Sequence, residues 1–413
     1  MPWTMILYQI LMALALPFIL TQALWRGGQA ALRDRLGLGP DLPPGPALWL
    51  HGASVGEVTS ARWVIEALRA ARPDVQILVT TNTLTGRDVV AGWGLAGVRA
   101  ALAPVDSAGA AGRLLDRITP QALVIIENEL WPARSAAAHR RGVQVLVIGA
   151  RLSDRSAARW RHLPGLIGPL LARIDWLSPQ DEASARHLTA LGLPRAALGP
   201  TITLKAQAMA QDRPSPFAAP APRAATLLAA STHPGEEAGI LGAFAAARAQ
   251  GGPQILILAP RHPARGDEVA ALITASGLRF ARRTLGQVPD ATTTVFLADT
   301  LGEMDLWYQM AGICLIGGSF VDRGGHTPFE PASWGCALIH GPSVHNFAPQ
   351  FAALDRVGGA VALRQIDAVT GALLGMDAAR QGQLAQAART GLAPFAAGAK
   401  AIPERLLHCL PRA

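Results

Sequence analysis

From Pro46 onward the sequence alternates short apolar runs with stretches of helical periodicity, and the runs end in glycine-rich or polar corners. ALWLH (Ala47–His51) passes through GASVGE into a helical stretch, Val58–Arg72. Ile77–Thr81, ALAPVD, Ala122–Ile126, Val145–Gly149 and a run near Trp176 follow in the same manner. Strands this apolar are buried on both faces, and parallel strands so buried need crossover helices. The pattern predicts an α/β chain of parallel sheets with helices on both sides. Residues 212–224 are dense in proline and mark a linker. The alternation then restarts with ATLLAAST, ILILAPRHP, TVFLADT, ICLIGGS and ALIHGP, and the tail from Gly371 reads as helical. Two Rossmann-like domains are expected, residues 29–211 and 225–413, facing a ligand cleft lined by strand carboxyl ends.

Ahead of these domains, residues 1–28 form a separate segment. Trp3–Trp25 carries no charge, and arginines Arg26, Arg33 and Arg35 follow it. About 20 such residues, at roughly 1.5 Å each, match the roughly 30 Å of a bilayer core. No basic residue precedes the apolar run, so the segment reads as a retained membrane anchor and not a cleaved signal. The charge bias puts the body of the protein in the cytoplasm. Of 413 residues 16% are charged, with a net charge of +8, which favours an acidic partner. Nucleic acid fits less well: aromatics are 5%, and no helix-turn-helix or zinc-finger spacing is present. Cys314, Cys336 and Cys409 are odd in number and scattered, so neither a disulfide frame nor a thiolate zinc site is expected.

Several corners carry chemistry. Ile316–Glu330 (IGGSFVDRGGHTPFE) reads as a strand, a glycine loop and a helix beginning near Thr327, an arrangement suited to an anion. Gly52–Gly56 (GASVG) matches the G-x-S-x-G elbow, which makes a serine hydrolase with Ser54 as nucleophile the rival reading. It follows the first soluble strand, too early for an elbow with an upstream oxyanion loop. Glu57 closes that loop, either as a first-turn carboxylate or as a general base. Glu127 and Glu129 leave a strand end two residues apart, where side chains share a face. Arg261, in APRHP, stands at another strand end, placed to pair with phosphate. The chain has two lysines, Lys205 and Lys400, and Lys205 sits just before the linker. Gly92–Gly97 matches G-x-G-x-x-G but follows a helix, so it lacks the dinucleotide context. With no pair of aspartates two apart, a bound divalent metal is not expected.

Taken together, these stretches resemble the 3-deoxy-D-manno-octulosonic acid (Kdo) transferases of lipopolysaccharide synthesis, glycosyltransferase family 30. HGASVGE, TTNTLTGRDVV, ENELWP, ARLSDRS, TLK, ASTHPGEE, APRHP, DTLGEM and GGSFVDRGGHTPFEPASWG, then HGPSVHNF, run in the family's order from His51 to Phe347. The resemblance implies a GT-B fold, an anchor at the cytoplasmic face of the inner membrane, and transfer of Kdo from CMP-Kdo to a lipid A precursor (lipid IVA). Carried over, it makes Glu57 the proton acceptor and Glu127 and Lys205 the stabilisers of the transition state. It assigns Pro260 and Arg261, Leu301, Gly302 and Glu303, and Thr327, Pro328, Phe329 and Glu330 to CMP binding, with no cofactor or metal. A GT-B transferase using another CMP-sugar or acceptor is the nearest alternative. Where the family usually carries asparagine this chain has Thr327, which keeps a capping oxygen but lacks the amide donor.

Overall fold

The computed structural model describes residues 3–127, 129–207 and 214–412. The chain divides into two compact units, Met1–Gln207 with Ala396–Ala413, and Ala208–Phe395. The break falls just before the proline-dense stretch, of which Asp212 and Arg213 lie outside the described residues. The tail departs from expectation. Residues 396–413 belong to the first unit, because Ile402 and Leu406 of the helix Ala401–His408 are fully buried in the core around Val64, Ile65 and Leu68.

The first unit is one six-stranded sheet. Its strands are β1 (Ala47–His51), β2 (Gln76–Thr81), β3 (Val98–Leu102), β4 (Ala122–Ile126), β5 (Gln144–Ala150) and β6 (Trp176–Pro179). The order is β3-β2-β1-β4-β5-β6, and every pairing is parallel. β1 and β4 are buried along their whole length, as central strands covered by helices on both faces must be. Trp49 anchors one face, its indole N–H donating to Thr80 Oγ1 at 2.8 Å. β3 begins earlier than ALAPVD predicts: Ala103–Asp106 is already the loop beyond the strand.

The second unit is a seven-stranded, wholly parallel sheet. Its strands are β7 (Thr226–Thr232), β8 (Ile255–Pro260), β9 (Phe280–Arg282), β10 (Val295–Leu297), β11 (Ile313–Ile316), β12 (Ala337–His340) and β13 (Ala360–Ala362). The order is β13-β12-β11-β7-β8-β10-β9. The two edge strands, β9 and β13, have three residues each, too few for an apolar run to show in the sequence. Two such sheets make this a GT-B chain.

The N-terminal helix Trp3–Arg35 is long and apolar enough to cross a membrane, and it kinks at Gly28 (φ 65°). Trp3, Leu14, Phe18 and Trp25, each at least 70% exposed, fall on one stripe at helical spacing. Thr4 and Met5 are buried, and the Tyr8 hydroxyl donates to Asp106 at 2.5 Å. Beyond the kink, Asp34 accepts from Leu102 N at 2.9 Å. Arg35 donates to Ala103 O at 2.9 Å and Asn82 O at 2.6 Å.

In the second unit the register of β7 against β8 shifts between Ala230 and Thr232, and Ser231 sits there with φ 58°. This bulge carries its carbonyls toward β11, where a Cβ at Gly317 would meet Ser231 O at 2.4 Å and Ala230 O at 2.6 Å. Backbone cannot yield as a flexible side chain can. Gly317→Ala should therefore cost about 2–3 kcal/mol of unfolding free energy in denaturant titration. A loss under about 0.5 kcal/mol would mean that the bulge relaxes freely.

Candidate functional site

Open parallel sheets bind ligands beyond the strand carboxyl ends, where the winding direction reverses. In the first unit that point lies between β1 and β4. β1 ends at His51 and turns through Gly52 and Ala53 into the helix Val55–Ser60. Ser54 caps this helix, accepting from Glu57 N at 3.4 Å, while Glu57 reaches back to Ala53 N–H at 2.7 Å and the Ser54 hydroxyl at 3.2 Å. This reciprocal pairing is a capping box shifted by one residue. It engages the Ser54 hydroxyl with a carboxylate where the hydrolase reading needs a histidine. Glu57 is half-buried. Burial above all, with the nearby charges of Glu127 and Glu129, raises its carboxyl to about 7 against the pull of the Ala53 N–H and Ser54.

β4 delivers the other two carboxylates, though not on one face. The strand ends at Ile126, and Glu127 takes a left-handed conformation with φ 57°, so strand alternation stops before it reaches Glu129. Glu127 lies 3.7 Å from Lys205 Nζ, on the short turn Leu204–Gln207. Glu129 turns another way. Its Oε2 accepts from Trp131 Nε1 at 2.5 Å and Asn82 Nδ2 at 2.9 Å, with His51 Nε2 at 3.4 Å. Burial alone would raise the Glu129 carboxyl, but these donors hold it at about 2. The His51 ring is fully buried, and burial followed by the Arg134 charge drops it to about 4, so it is neutral near pH 7. One carboxylate is thus poised to exchange a proton near neutrality and its neighbour is locked as an anion. A left-handed non-glycine residue such as Glu127 costs about 1–3 kcal/mol and persists where the surroundings hold it.

In the second unit the reversal lies between β7 and β11. Here the structure corrects the expectation of an anion site made by the glycine loop. Glu236, fully buried, accepts from Gly318 N at 2.7 Å, Ser319 N at 3.1 Å, Phe320 N at 3.0 Å and His233 N at 2.9 Å. Burial pushes its carboxyl up, and these N–H groups pull it back. Each carboxylate oxygen has two donors, so the protein supplies the loop's anion itself. The helix after the loop is five residues long, Phe329–Ser333, and begins two residues later than expected. Pro328 holds the N-cap position and offers no side-chain cap; Thr327, one residue ahead of it, accepts from Phe329 N at 3.3 Å in a local turn.

The other expected donor-site residues lie along the same carboxyl edge. Pro260 ends β8, and Arg261 is exposed just beyond it. Leu301 and Gly302 are exposed after β10, Gly302 with φ 75°. Glu303 is gripped by Arg283 at 2.6 and 3.0 Å and by the Thr300 hydroxyl at 2.5 Å. Pro328 and Phe329 are buried and Glu330 half-buried. Glu330 is near enough for its charge to add to the burial that lifts Tyr308. Among the described residues no three His, Cys, Asp or Glu side chains gather into a metal site. Sequence reasoning missed Glu236, whose signal was a glutamate three residues after a histidine at a strand end. It also missed the pairing of Glu129 with His51, which no sequence spacing announces.

A family model described as 3-deoxy-D-manno-octulosonic-acid transferase (kdotransferase) matches residues 30–208. The 3-deoxy-D-manno-octulosonic acid transferase of Haemophilus influenzae is 31% identical over 77% of this chain and 75% of its own. The enzyme of the same name from Bordetella pertussis is 34% identical over 84% of this chain and 82% of its own. Among solved structures, a UDP-N-acetylglucosamine 2-epimerase from Listeria monocytogenes, described as putative, aligns with a TM-score of 0.59. It is 12% identical and covers 88% of this chain and 95% of that one. A glycosyltransferase from Rickettsia africae aligns with a TM-score of 0.54 at 10% identity, over 89% and 98% of the two chains. At such identities these two speak for the fold alone.

Two measurements check the geometry. Glu236→Ala strips four N–H groups, those of Gly318 and Ser319 buried, of their acceptor and should lower unfolding free energy by about 3 kcal/mol or more in chemical denaturation. Glu57 should titrate near 7 by carboxyl carbon NMR. Because its folded value lies above its unfolded one, its contribution to stability is complete below about 4.5 and fades as pH rises through about 7. In Glu57→Gln that decline should vanish from the stability profile. An unchanged profile would place the carboxylate in an ordinary solvated setting.

Proposed function

This chain belongs to the 3-deoxy-D-manno-octulosonic acid transferase family and is a glycosyltransferase; from that membership we propose that it carries Kdo from CMP-Kdo to an acylated, phosphorylated lipid A precursor (lipid IVA) at the cytoplasmic face of the inner membrane. The observation that carries the mechanism is Glu57: a half-buried carboxylate at the reversal point of the first sheet, held near 7 by burial and two neighbouring carboxylates. A general base works best with a pKa close to the working pH.

In the proposed reaction Glu57 removes the proton of an acceptor sugar hydroxyl. The oxygen's electron pair attacks the anomeric carbon of Kdo, and the bond from that carbon to the phosphate oxygen of CMP breaks, its pair leaving with CMP. The anomeric configuration inverts. Lys205, beside Glu127, supplies a fixed positive charge for the charge that develops on departure, and the Glu127 carboxylate faces the positive charge building on the sugar. Pro260 and Arg261, Leu301–Glu303 and Thr327–Glu330 hold the cytidylate. The leaving group bears one phosphate, which cationic side chains neutralise without a metal. The apolar stripe of the N-terminal helix anchors the protein, and the basic surface favours an anionic lipid interface.

The test is direct. Purified protein incubated with CMP-Kdo and lipid A precursor in EDTA should yield product heavier by Kdo. At saturating donor its kcat should rise with pH through about 7 and then level. Glu57→Gln should lose roughly 10²–10⁴-fold in rate while keeping its fold. Near-normal turnover in that variant would refute the base assignment. Product formed only with another CMP-sugar would move the donor, and dependence on added divalent ion would overturn the metal-free step.

A further inference from the structure

At the reversal point of the second sheet, over the glycine loop, lie two histidines that the reading above does not use. His233 follows β7 and His326 follows the loop after β11. Their rings lie nearly coplanar and end to end, centroids 5.2 Å apart and planes 5° apart, with the two Nε2 atoms 2.9 Å from each other. Both pack over the Gly318 backbone: a Cβ there would meet His233 Cδ2 at 3.2 Å and His326 Cδ2 at 3.5 Å. His262, from the end of β8, sets its ring edge-on to His233 at 6.0 Å.

Two imidazole nitrogens at this distance share one hydrogen. One Nε2–H donates and the other Nε2 accepts, so the contact cannot survive with a proton on both. Two arginines, a third histidine and two glutamates face the pair. Arg261 and His262 approach from the end of β8 and Arg323 from the β11 loop. Glu236, from the turn after β7, is taken up by backbone N–H groups, and Glu237, one residue on, is held by Arg265 Nη1 at 2.6 Å and the Thr232 hydroxyl at 3.1 Å. Burial foremost, then Arg323, His262 and Arg261, lower the proton affinity of His233. The pair is thus short of a proton beside Arg261 and Arg323, and a phosphate entering there would reverse the balance.

We propose that His233 and His326 form the phosphate subsite for the cytidylate, and that the phosphate opens their mutual contact so that each ring turns an Nε2–H to a phosphate oxygen. One of the two hydrogens is the one they share; the other is a proton taken up from solvent by the accepting ring, which keeps its Nδ1–H and becomes an imidazolium. Donor binding is therefore coupled to protonation, and affinity falls as pH rises. This runs opposite to the proton release demanded of Glu57. The inference rests on CMP-Kdo being the donor.

The experiment uses the full-length protein in detergent, with CMP as ligand and cytidine as the control that lacks phosphate. Calorimetry at pH 7.5 in two buffers of different ionisation enthalpy should show uptake of between about half and one proton per CMP, and none with cytidine. His326→Gln and His233→Gln keep a neutral N–H donor but cannot take a proton. Each should abolish the buffer dependence and weaken CMP roughly tenfold or more, the scale of one charge-assisted hydrogen bond, with cytidine affinity and the unfolding midpoint unchanged. If wild type binds CMP with no proton uptake, or the variants bind it as wild type does, the histidine subsite is wrong and the donor reading stands. If wild type binds no CMP, the donor reading falls and this inference with it. Should zinc bind the pair tightly and CMP leave that zinc undisturbed, the pair is a metal site and the proposal is overturned.

Discussion

Right-handed crossovers leave a parallel sheet few places where a ligand can sit. A strand followed by a helix and a parallel strand nearly always winds one way, so a sheet that grows from its first strand in both directions must reverse there. Both sheets of this chain do so, between β1 and β4 and between β7 and β11. At each reversal the loops part and their side chains stand at the carboxyl edge. Two of the three left-handed non-glycine residues among those described, Glu127 and Ser231, lie beside these points. Strain is thus concentrated where the topology already opens the structure.

Within the first unit, three carboxylates that look equivalent in sequence are made different by their surroundings. Glu57 has one backbone N–H and one hydroxyl and faces two like charges; Glu129 has an indole, an amide and an imidazole. Their carboxyl values stand at about 7 and about 2. Separation of that size is how one group comes to exchange protons while the other holds its charge. The two are also linked, since the charge of Glu129 is one of the causes that raise Glu57.

Much of this was legible in the residues. Apolar runs placed the central strands well, because a strand buried on both faces has little freedom in composition: Ala122–Ile126 is β4 from end to end. The edge strands β9 and β13 were not visible, being short and half covered. The glycine loop after β11 was found, but its N–H groups were given to a ligand when they belong to Glu236, a residue more than eighty positions earlier. Long-range pairing of this kind leaves no periodic trace. The alternation rule for Glu127 and Glu129 failed for a local reason: it presumes extended backbone, and φ at Glu127 is positive. Proximity in sequence places the tail with the second unit, whereas its helix follows the apolar surface that buries Ile402 and Leu406.

The N-terminal helix is not an appendage hung on this site. Arg35, past the Gly28 kink, bonds the carbonyl of Asn82, whose side-chain amide donates to Glu129. Tyr8 bonds Asp106, which also accepts from Ala133 N at 2.9 Å and Arg134 N at 2.8 Å and so holds the start of the helix Pro132–His139. The Arg134 guanidinium is fully enclosed and lies over the Trp49 and Trp131 rings, and Trp131 donates to Glu129. Two routes therefore run from the N-terminal helix to the same carboxylate, one through hydrogen bonds and one that includes the Arg134–Trp131 ring contact. The same helix thus carries an exposed apolar stripe and, through Tyr8 within it and Arg35 past its kink, polar ties to the surroundings of Glu129, so the orientation of that stripe is fixed relative to the carboxylates of the first unit.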